Sequence, residues 1–136
     1  MAKIKDIEVG VADVVDFMRI TGTFAPALRQ VVLRKVTADA ARAAGIKVTS
    51  REIQKAADAF RVVNGLTKAS DTEAWLRASG VTLEFMEDYL ETNLLINKFK
   101  AHIQKKASKS KYVASPGIQE SINEMMYQDW LAKALR

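Results

Sequence analysis

Cysteine is absent from this sequence, and histidine occurs once, as His102. Without cysteine the chain cannot form disulfides, iron–sulfur ligation or thiolate zinc sites. A single histidine also excludes a histidine-rich metal site. The sequence therefore predicts no metal and no other cofactor.

Long apolar runs are missing as well. Asp6, Glu8 and Asp13 interrupt the apolar residues near the N-terminus, which argues against a secretion signal and against a membrane span. We therefore expect a cytoplasmic protein with no membrane partner. The 136 residues suffice for one domain with its own core, and the formal charge of +5 permits nucleic-acid binding without requiring it.

Three consecutive helices are predicted between Val48 and Phe99. Thr49 can cap the first of them while Glu52 reaches back to the Thr49 amide, and Gly65 with the following Leu66 ends it. The second has Ser70 as its predicted cap, with Glu73 as partner, and ends at Gly80. Thr82 begins the third. Because short turns join these helices, they must fold back on one another.

The remaining segments complete an all-α protein of about six helices. Apolar and polar residues alternate weakly in residues 1–10, which is typical of a frayed arm or a short extended segment. One helix is predicted from residue 11 to residue 21. The next ends at residue 44 and has an apolar face and a solvent-facing, wet side. The face comprises Leu28, Val31, Val32, Val36, Ala40 and Ala43; the wet side comprises Gln30, Arg34 and Thr37. We expect a single domain, 1–136, with a helical module at 11–106, a linker at 107–115 and a terminal helix at 116–135.

The terminal helix carries an apolar stripe of Ile118, Ile122, Met125 and Met126, with Trp130 at its edge. Burying even four such side chains is worth roughly 6 to 12 kcal/mol before ordering costs, so the helix must dock. It can dock on the module, around Trp75 and the Leu90 to Leu95 face. The alternative is a homodimer in which two chains exchange this helix.

The helix starts and ends of the central stretch resemble those of a known family. The matching residues are Gly45 to Ile53, Phe60 with Asn64 to Leu66, Thr72 to Leu76, and Gly80 to Met86 followed by Leu90, Leu94 and Leu95. The pattern resembles the N-terminal helical module of SurA-like peptidyl-prolyl isomerases, in the trigger factor/SurA peptide-binding superfamily. The parvulin isomerase domain that usually follows the long helix has no counterpart here.

The resemblance implies a non-catalytic, chaperone-like module that holds apolar, aromatic-rich peptides between helices. Small SurA-like proteins accompany enzymes that modify ribosomally made peptides, so a precursor peptide and a modification enzyme are the expected partners. The candidate peptide-binding residues are Phe60, Trp75, Leu76, Phe85, Tyr89, Met125, Met126, Tyr127 and Trp130. Since amphipathic helices turn aromatic side chains inward, we expect most of these candidates to lie in the core. We expect Tyr89 and Tyr127 at a more solvent-exposed rim.

A lysine-rich run follows the long helix, comprising Lys98, Lys100, Lys105, Lys106, Lys109 and Lys111. Such a run is usually a solvated helix end, and otherwise attracts acidic peptides or phosphates. No carboxylate lies one helical turn from His102, and there is no phosphate loop, nucleophile elbow or carboxylate pair. We therefore expect no enzymatic activity.

The alternative function is a helix-turn-helix regulator that binds nucleic acid, with Gly80 in the turn. The helix that would read the bases begins Leu83-Glu84-Phe85-Met86-Glu87-Asp88. Base contacts usually come from Arg, Asn, Gln or Ser, whereas this start is acidic and apolar. The sequence therefore favours a peptide over nucleic acid.

Overall fold

A computed structural model of the chain describes residues 2–4, 6–107 and 116–136, and the side chains of 6–105 and 120–136. Within these ranges it contains a two-stranded sheet and six α-helices. The elements are β1 Ala2–Ile4, β2 Ile7–Val9, α1 Val11–Thr21, α2 Phe24–Ala43, α3 Ser50–Val63, α4 Ala69–Ser79, α5 Leu83–Ala107 and α6 Pro116–Ala134. The prediction of an all-α fold with about six helices is confirmed. None of the described helices is long and apolar enough to cross a membrane.

Residues 2–4 and 7–9 pair as the two strands of a β-hairpin. Strands β1 and β2 are antiparallel, with Ala2 opposite Val9 and Ile4 opposite Ile7. The weak alternation of apolar residues predicted a frayed arm or an extended segment. It did not predict that two strands within the segment pair.

The chain divides into two compact units, residues 1–35 and 36–136. The first contains the hairpin, α1 and the N-terminal part of α2. The second contains the rest of α2 and helices α3 to α6. Each unit is described separately below.

Most of the predicted helix ends in the central stretch are confirmed. The Glu52 amide donates to the Thr49 hydroxyl at 3.2 Å. Gly65 has a φ of 67°, and the next amide, of Leu66, donates to the Arg61 carbonyl at 2.7 Å. This geometry closes the end of α3 and turns Leu66 into the protein, where it is buried.

The start of α4 differs from the prediction. The helix begins at Ala69 after Lys68, so Ser70 lies inside the first turn and is not its cap. The residue that organises the turn is Thr72, which is buried and whose hydroxyl donates to the Leu66 carbonyl at 3.3 Å. This bond joins the end of α3 to the start of α4, and the helix begins two residues early as a result.

Two hydrophobic clusters form the core of residues 36–136, and α5 contributes to both. The α2 cluster comprises Ala38, Ala41, Leu95 and Phe99, with Ala40, Ile46, Val48, Ile103 and Trp130 packed against it. The α3 cluster comprises Ala57, Met86 and Leu90, with Ala56, Phe60, Trp75, Leu76 and Val81 packed against it. The α2 cluster therefore joins α2, α5 and α6, whereas the α3 cluster joins α3, α4 and α5.

Helix α2 buries a different face from the one predicted. Thr37, placed on the wet side by periodicity, is 0% exposed, and Ala38 and Ala41 are buried beside it. The branched residues expected to be inside, Leu28 and Val31 among them, are exposed. Ala38 and Ala41 share one hydrophobic cluster with Leu95 and Phe99, so the alanine face of α2 contacts the large residues of α5.

Helix α6 lies against α5 and is joined to α2 by a buried hydrogen bond. The hydroxyls of Tyr127 and Thr37 are 2.9 Å apart, and Tyr127 is buried. Ile122, Met126 and Trp130 of the predicted stripe are half-buried, whereas Met125 is 70% exposed. Leu131, which was not part of the stripe, is buried. Trp75, around which this helix was expected to close, packs in the α3 cluster. The Ile118 side chain and the linker 108–115 lie outside the described residues.

Lys98 joins α5 to the start of α3. Its ammonium group is 2.6 Å from a carboxylate oxygen of Glu52 and donates to the Lys47 carbonyl at 2.8 Å. The hydrogen bond from Lys98, aided by Thr49, lowers the pKa of the Glu52 carboxyl below its ordinary value. The interaction orients the long helix against the Thr49 cap.

We predict that Tyr127→Phe lowers the free energy of unfolding by about 1 kcal/mol, the usual net contribution of one hydrogen bond. Thr37→Val should cost less in the Tyr127→Phe background than in the wild type, because the two changes remove the same bond. Urea unfolding followed by circular dichroism measures both. Strictly additive effects would contradict a direct bond between the hydroxyls.

We also predict that Glu52 titrates below ordinary exposed glutamates and that Lys98→Met raises its pKa. Because folding lowers this pKa, the associated stability is present above the ordinary value and is lost as pH falls through the lowered one. Carboxyl-carbon NMR titration measures the shift. Lys133→Met, which removes an exposed pair with Asp129, is the matched control and should leave Glu52 unchanged.

Candidate functional site

A groove of about 510 Å³ opens among the C-terminal part of α2, the second half of α5, and α6. Ten residues line it: Ala40, Ala43, Ala44, Phe99, His102, Ile103, Met126, Asp129, Trp130 and Lys133. Seven of these are apolar. Ligand pockets typically occupy about 300 to 1,000 Å³ and are mostly apolar with a few polar groups, and this groove matches that description.

The groove exists because alanines line α2 where large residues line the facing helices. The sequence of α2 ends Ala38-Asp39-Ala40-Ala41-Arg42-Ala43, and Ala44 follows directly. Ala38 and Ala41 pack against α5 in the core. Ala40, Ala43 and Ala44 line the groove, and their short side chains leave its volume empty.

Aromatic rings form the opposite wall and hold one another in place. Trp130 contacts Phe99 edge to face, with ring centroids 4.8 Å apart, and stacks on Tyr127 at 6.3 Å. Since Tyr127 is anchored by its bond to Thr37, the indole of Trp130 is supported on two sides. This wall is therefore preorganised to receive an apolar group.

Charged groups surround the apolar surface. Lys133 pairs with Asp129 at 2.9 Å, and both are exposed. Near the other end of α6, the Lys100 ammonium is 3.5 Å from Glu124 and 4.6 Å from the centre of the Tyr127 ring. Charges of both signs beside an apolar groove can contact the polar backbone of a bound peptide.

The structure separates the predicted peptide-binding residues into four groups. Met126 and Trp130 line the groove. Phe60, Trp75 and Leu76 pack in the α3 cluster, where Phe60 and Trp75 meet edge to face at 5.4 Å. Phe85, Tyr89 and Met125 are exposed, and Tyr127 is buried, so its expected position at a wet rim is wrong.

The groove residues that sequence reasoning missed are mainly the alanines, together with Phe99 and Ile103. Alanine has no distinctive chemistry, so it was assigned to a helix face and not to a site. The available signal was the run of small residues from 38 to 44, which contains five alanines. Such a run on one helix permits helix packing or leaves a cavity. Here Ala38 and Ala41 pack in the core, whereas Ala40, Ala43 and Ala44 line the groove.

Two of the predicted basic-patch lysines are held by carboxylates of other helices. Lys98 pairs with Glu52, and Lys100 pairs with Glu124. Lys105 is exposed, whereas the side chains of Lys106, Lys109 and Lys111 lie outside the described residues. The described part of the run is therefore largely an interhelical ion-pairing surface.

Two further pockets flank Arg61, with volumes of about 220 and 440 Å³. The Arg61 guanidinium is 3.4 Å from Asp58, and its Nε atom is buried without a hydrogen-bond partner. Polar and charged side chains line much of both pockets. Within the described residues, no group of three or more acidic, histidine or cysteine side chains could hold a metal ion.

Comparison with known proteins adds no family assignment. No protein-family model matches the chain, and no curated protein or solved structure is significantly similar to it. Evidence for the function of this chain therefore comes from its sequence and from the geometry of the groove.

Proposed function

We propose that this chain is a non-catalytic, chaperone-like peptide-binding module whose groove among α2, α5 and α6 receives a large apolar side chain of a peptide. The groove itself is the observation that supports this proposal. It has an apolar lining, an aromatic wall supported from behind, and an open side along which a peptide backbone can leave.

The composition of the groove favours peptides over a single defined small molecule. Specific small-molecule sites orient their ligand with convergent polar groups, whereas here Asp129 and Lys133, two of the three polar lining residues, pair with each other. Met126 adds a flexible, polarisable side chain that accommodates varied apolar groups. A site of this kind selects for size and hydrophobicity and tolerates differences in sequence.

The resemblance of residues 24–103 to SurA-like modules supports the same class of function. It suggests that the bound peptide is a ribosomally made precursor and that a modification enzyme is a second partner. Both suggestions depend on the resemblance, whereas the groove accounts only for the binding of an apolar side chain.

Nucleic-acid binding is the second candidate and is less well supported. Helices α4 and α5 are joined by a short turn with Gly80 at a φ of 71°, as in a helix-turn-helix. However, Glu84, Glu87 and Asp88 are exposed at the start of α5, where a DNA-reading helix would meet phosphates and base edges. Three carboxylates there oppose the electrostatic attraction on which DNA binding depends.

Binding is best measured through Trp130, which lines the groove. The chain has two tryptophans, so Trp75→Phe leaves Trp130 as the single indole reporter. The titrants are soluble dodecapeptides that are identical except for one central residue, which is Phe, Leu, Ala or Glu. We predict a saturable change in Trp130 fluorescence with the Phe and Leu peptides, and at least tenfold weaker binding of the Ala and Glu peptides.

A variant that fills the groove provides the decisive comparison. Ala43 lines the groove and is exposed, so Ala43→Leu should preserve the fold and weaken the Phe peptide at least tenfold. Ala59→Leu, at an exposed position on α3, is the matched control and should bind like the parent. Equal affinity of both variants, or selective binding of duplex DNA at physiological salt, would contradict the proposal.

A further inference from the structure

The N-terminal unit, residues 1–35, has large apolar side chains that are exposed. No residue of α1 is buried. Phe17 is 67% exposed and Ile20 is 90% exposed. We call the following set the N-terminal apolar face: Val11, Val14, Phe17 and Ile20 of α1, with Leu28, Val31 and Val32 of α2, all of them exposed.

A unit of this size needs an external source of stability. Folded units below about 40 residues usually depend on disulfides, a metal or association with another chain. Residues 1–35 contain neither cysteine nor histidine, so the usual disulfide and zinc solutions are excluded. Association with another protein surface remains, and the exposed apolar face is where it would occur.

The charges beside this face make it complementary to itself. Helix α1 contains Asp13, Asp16 and Arg19 and is acidic overall. Residues 24–35 of α2 contain Arg29, Arg34 and Lys35 and no acidic residue. Each chain thus presents one apolar helix with an acidic surround and one with a basic surround, which is what a twofold symmetric pairing requires.

The existing contacts of the acidic residues do not oppose this pairing. Asp16 lies 3.4 Å from Arg19, and both side chains are well exposed. Exposed pairs three residues apart contribute little free energy, so Asp16 can exchange this contact for one with a partner. Asp13 accepts a hydrogen bond from the Gly10 amide at 2.8 Å and can still face a basic surface.

The side chains of the face are open enough to contribute to an interface. Each of the seven is between 40% and 90% exposed, and each partner of a standard interface contributes about 800 Å². Leu28, Val31 and Val32 are spaced three and four residues apart, so they form one stripe along α2. Val14, Phe17 and Ile20 recur every third residue on α1.

We propose that the N-terminal apolar face is a homodimer interface, in which α1 of each chain packs along residues 24–35 of α2 in a second copy. This inference is independent of the proposed peptide-binding function. It also differs from a dimer formed by exchange of α6, since the groove and α6 take no part in it.

Sedimentation velocity of the full chain over micromolar concentrations tests the interface. We expect a reversible dimer, and Ile20→Lys should raise its dissociation constant at least tenfold while leaving the circular dichroism spectrum and the cooperativity of unfolding unchanged. Ile20 is almost fully exposed in the single chain, so the lysine costs the monomer little. Val63→Lys, at a position 84% exposed on α3, is the matched control and should leave the dimer intact.

A charge exchange then identifies the pairing of helices. Asp16→Lys alone, or Arg29→Glu with Lys35→Glu, should weaken the homodimer by placing like charges together. Mixing the two variant chains should restore a heterodimer, because lysine on one α1 then meets glutamates on the other α2. Three results would overturn the proposal: a monomer at all concentrations, a dimer insensitive to Ile20→Lys, or a dimer lost only when α6 is removed.

Discussion

The buried contact of Ala38 and Ala41 of α2 with Leu95 and Phe99 of α5 is the interaction on which the arrangement of α2, α5 and α6 depends. These four residues form one hydrophobic cluster, and Trp130 of α6 packs against it. Thr37 of α2 is also buried, and its hydroxyl lies 2.9 Å from that of Tyr127. These contacts of α2 therefore position both α5 and α6.

The groove lies beside these core contacts, where the packing among α2, α5 and α6 leaves space. Ala40, Ala43 and Ala44 line the groove, while the facing helices present Trp130 and Ile103. Short side chains at these positions leave an open, apolar volume beside the core. The core contact and the proposed binding site thus both depend on small residues near the C-terminal end of α2, on different sides of the helix.

The exposed stripe on the same helix lies in the other unit, residues 1–35. Leu28 and Val31 belong to the apolar stripe that periodicity selected, and both are exposed. The proposed homodimer would place apolar side chains of a second chain against these residues.

Local features were predictable from sequence and long-range ones were not. The Thr49 cap, the Gly65 turn and the Thr82 start depend on residues within one helical turn, so their residue types identify them. The buried face of α2 was mistaken because periodicity favours large apolar residues and ignores the close approach that alanines permit. Met125 was misplaced for a related reason, since the phase of α6 follows from the Thr37–Tyr127 contact across 90 residues.

The division of aromatics between two clusters has a similar cause. Phe60 and Trp75 pair in the α3 cluster, whereas Phe99 and Trp130 pair in the α2 cluster. The terminal helix, which carries Trp130, was predicted to dock around Trp75. Which partner each one meets depends on which faces of α5 contact which helices, and that is a tertiary property.

Native-state hydrogen exchange of the Trp130→Ala variant tests the central claim most directly. If α6 and the alanine face of α2 form one packing unit, amide protection should fall together in residues 36–43, 95–103 and 120–134. Protection in α3 and in residues 84–91 should stay close to wild type, since those segments belong to the α3 cluster. Loss of protection confined to α6, with α2 unaffected, would contradict the account.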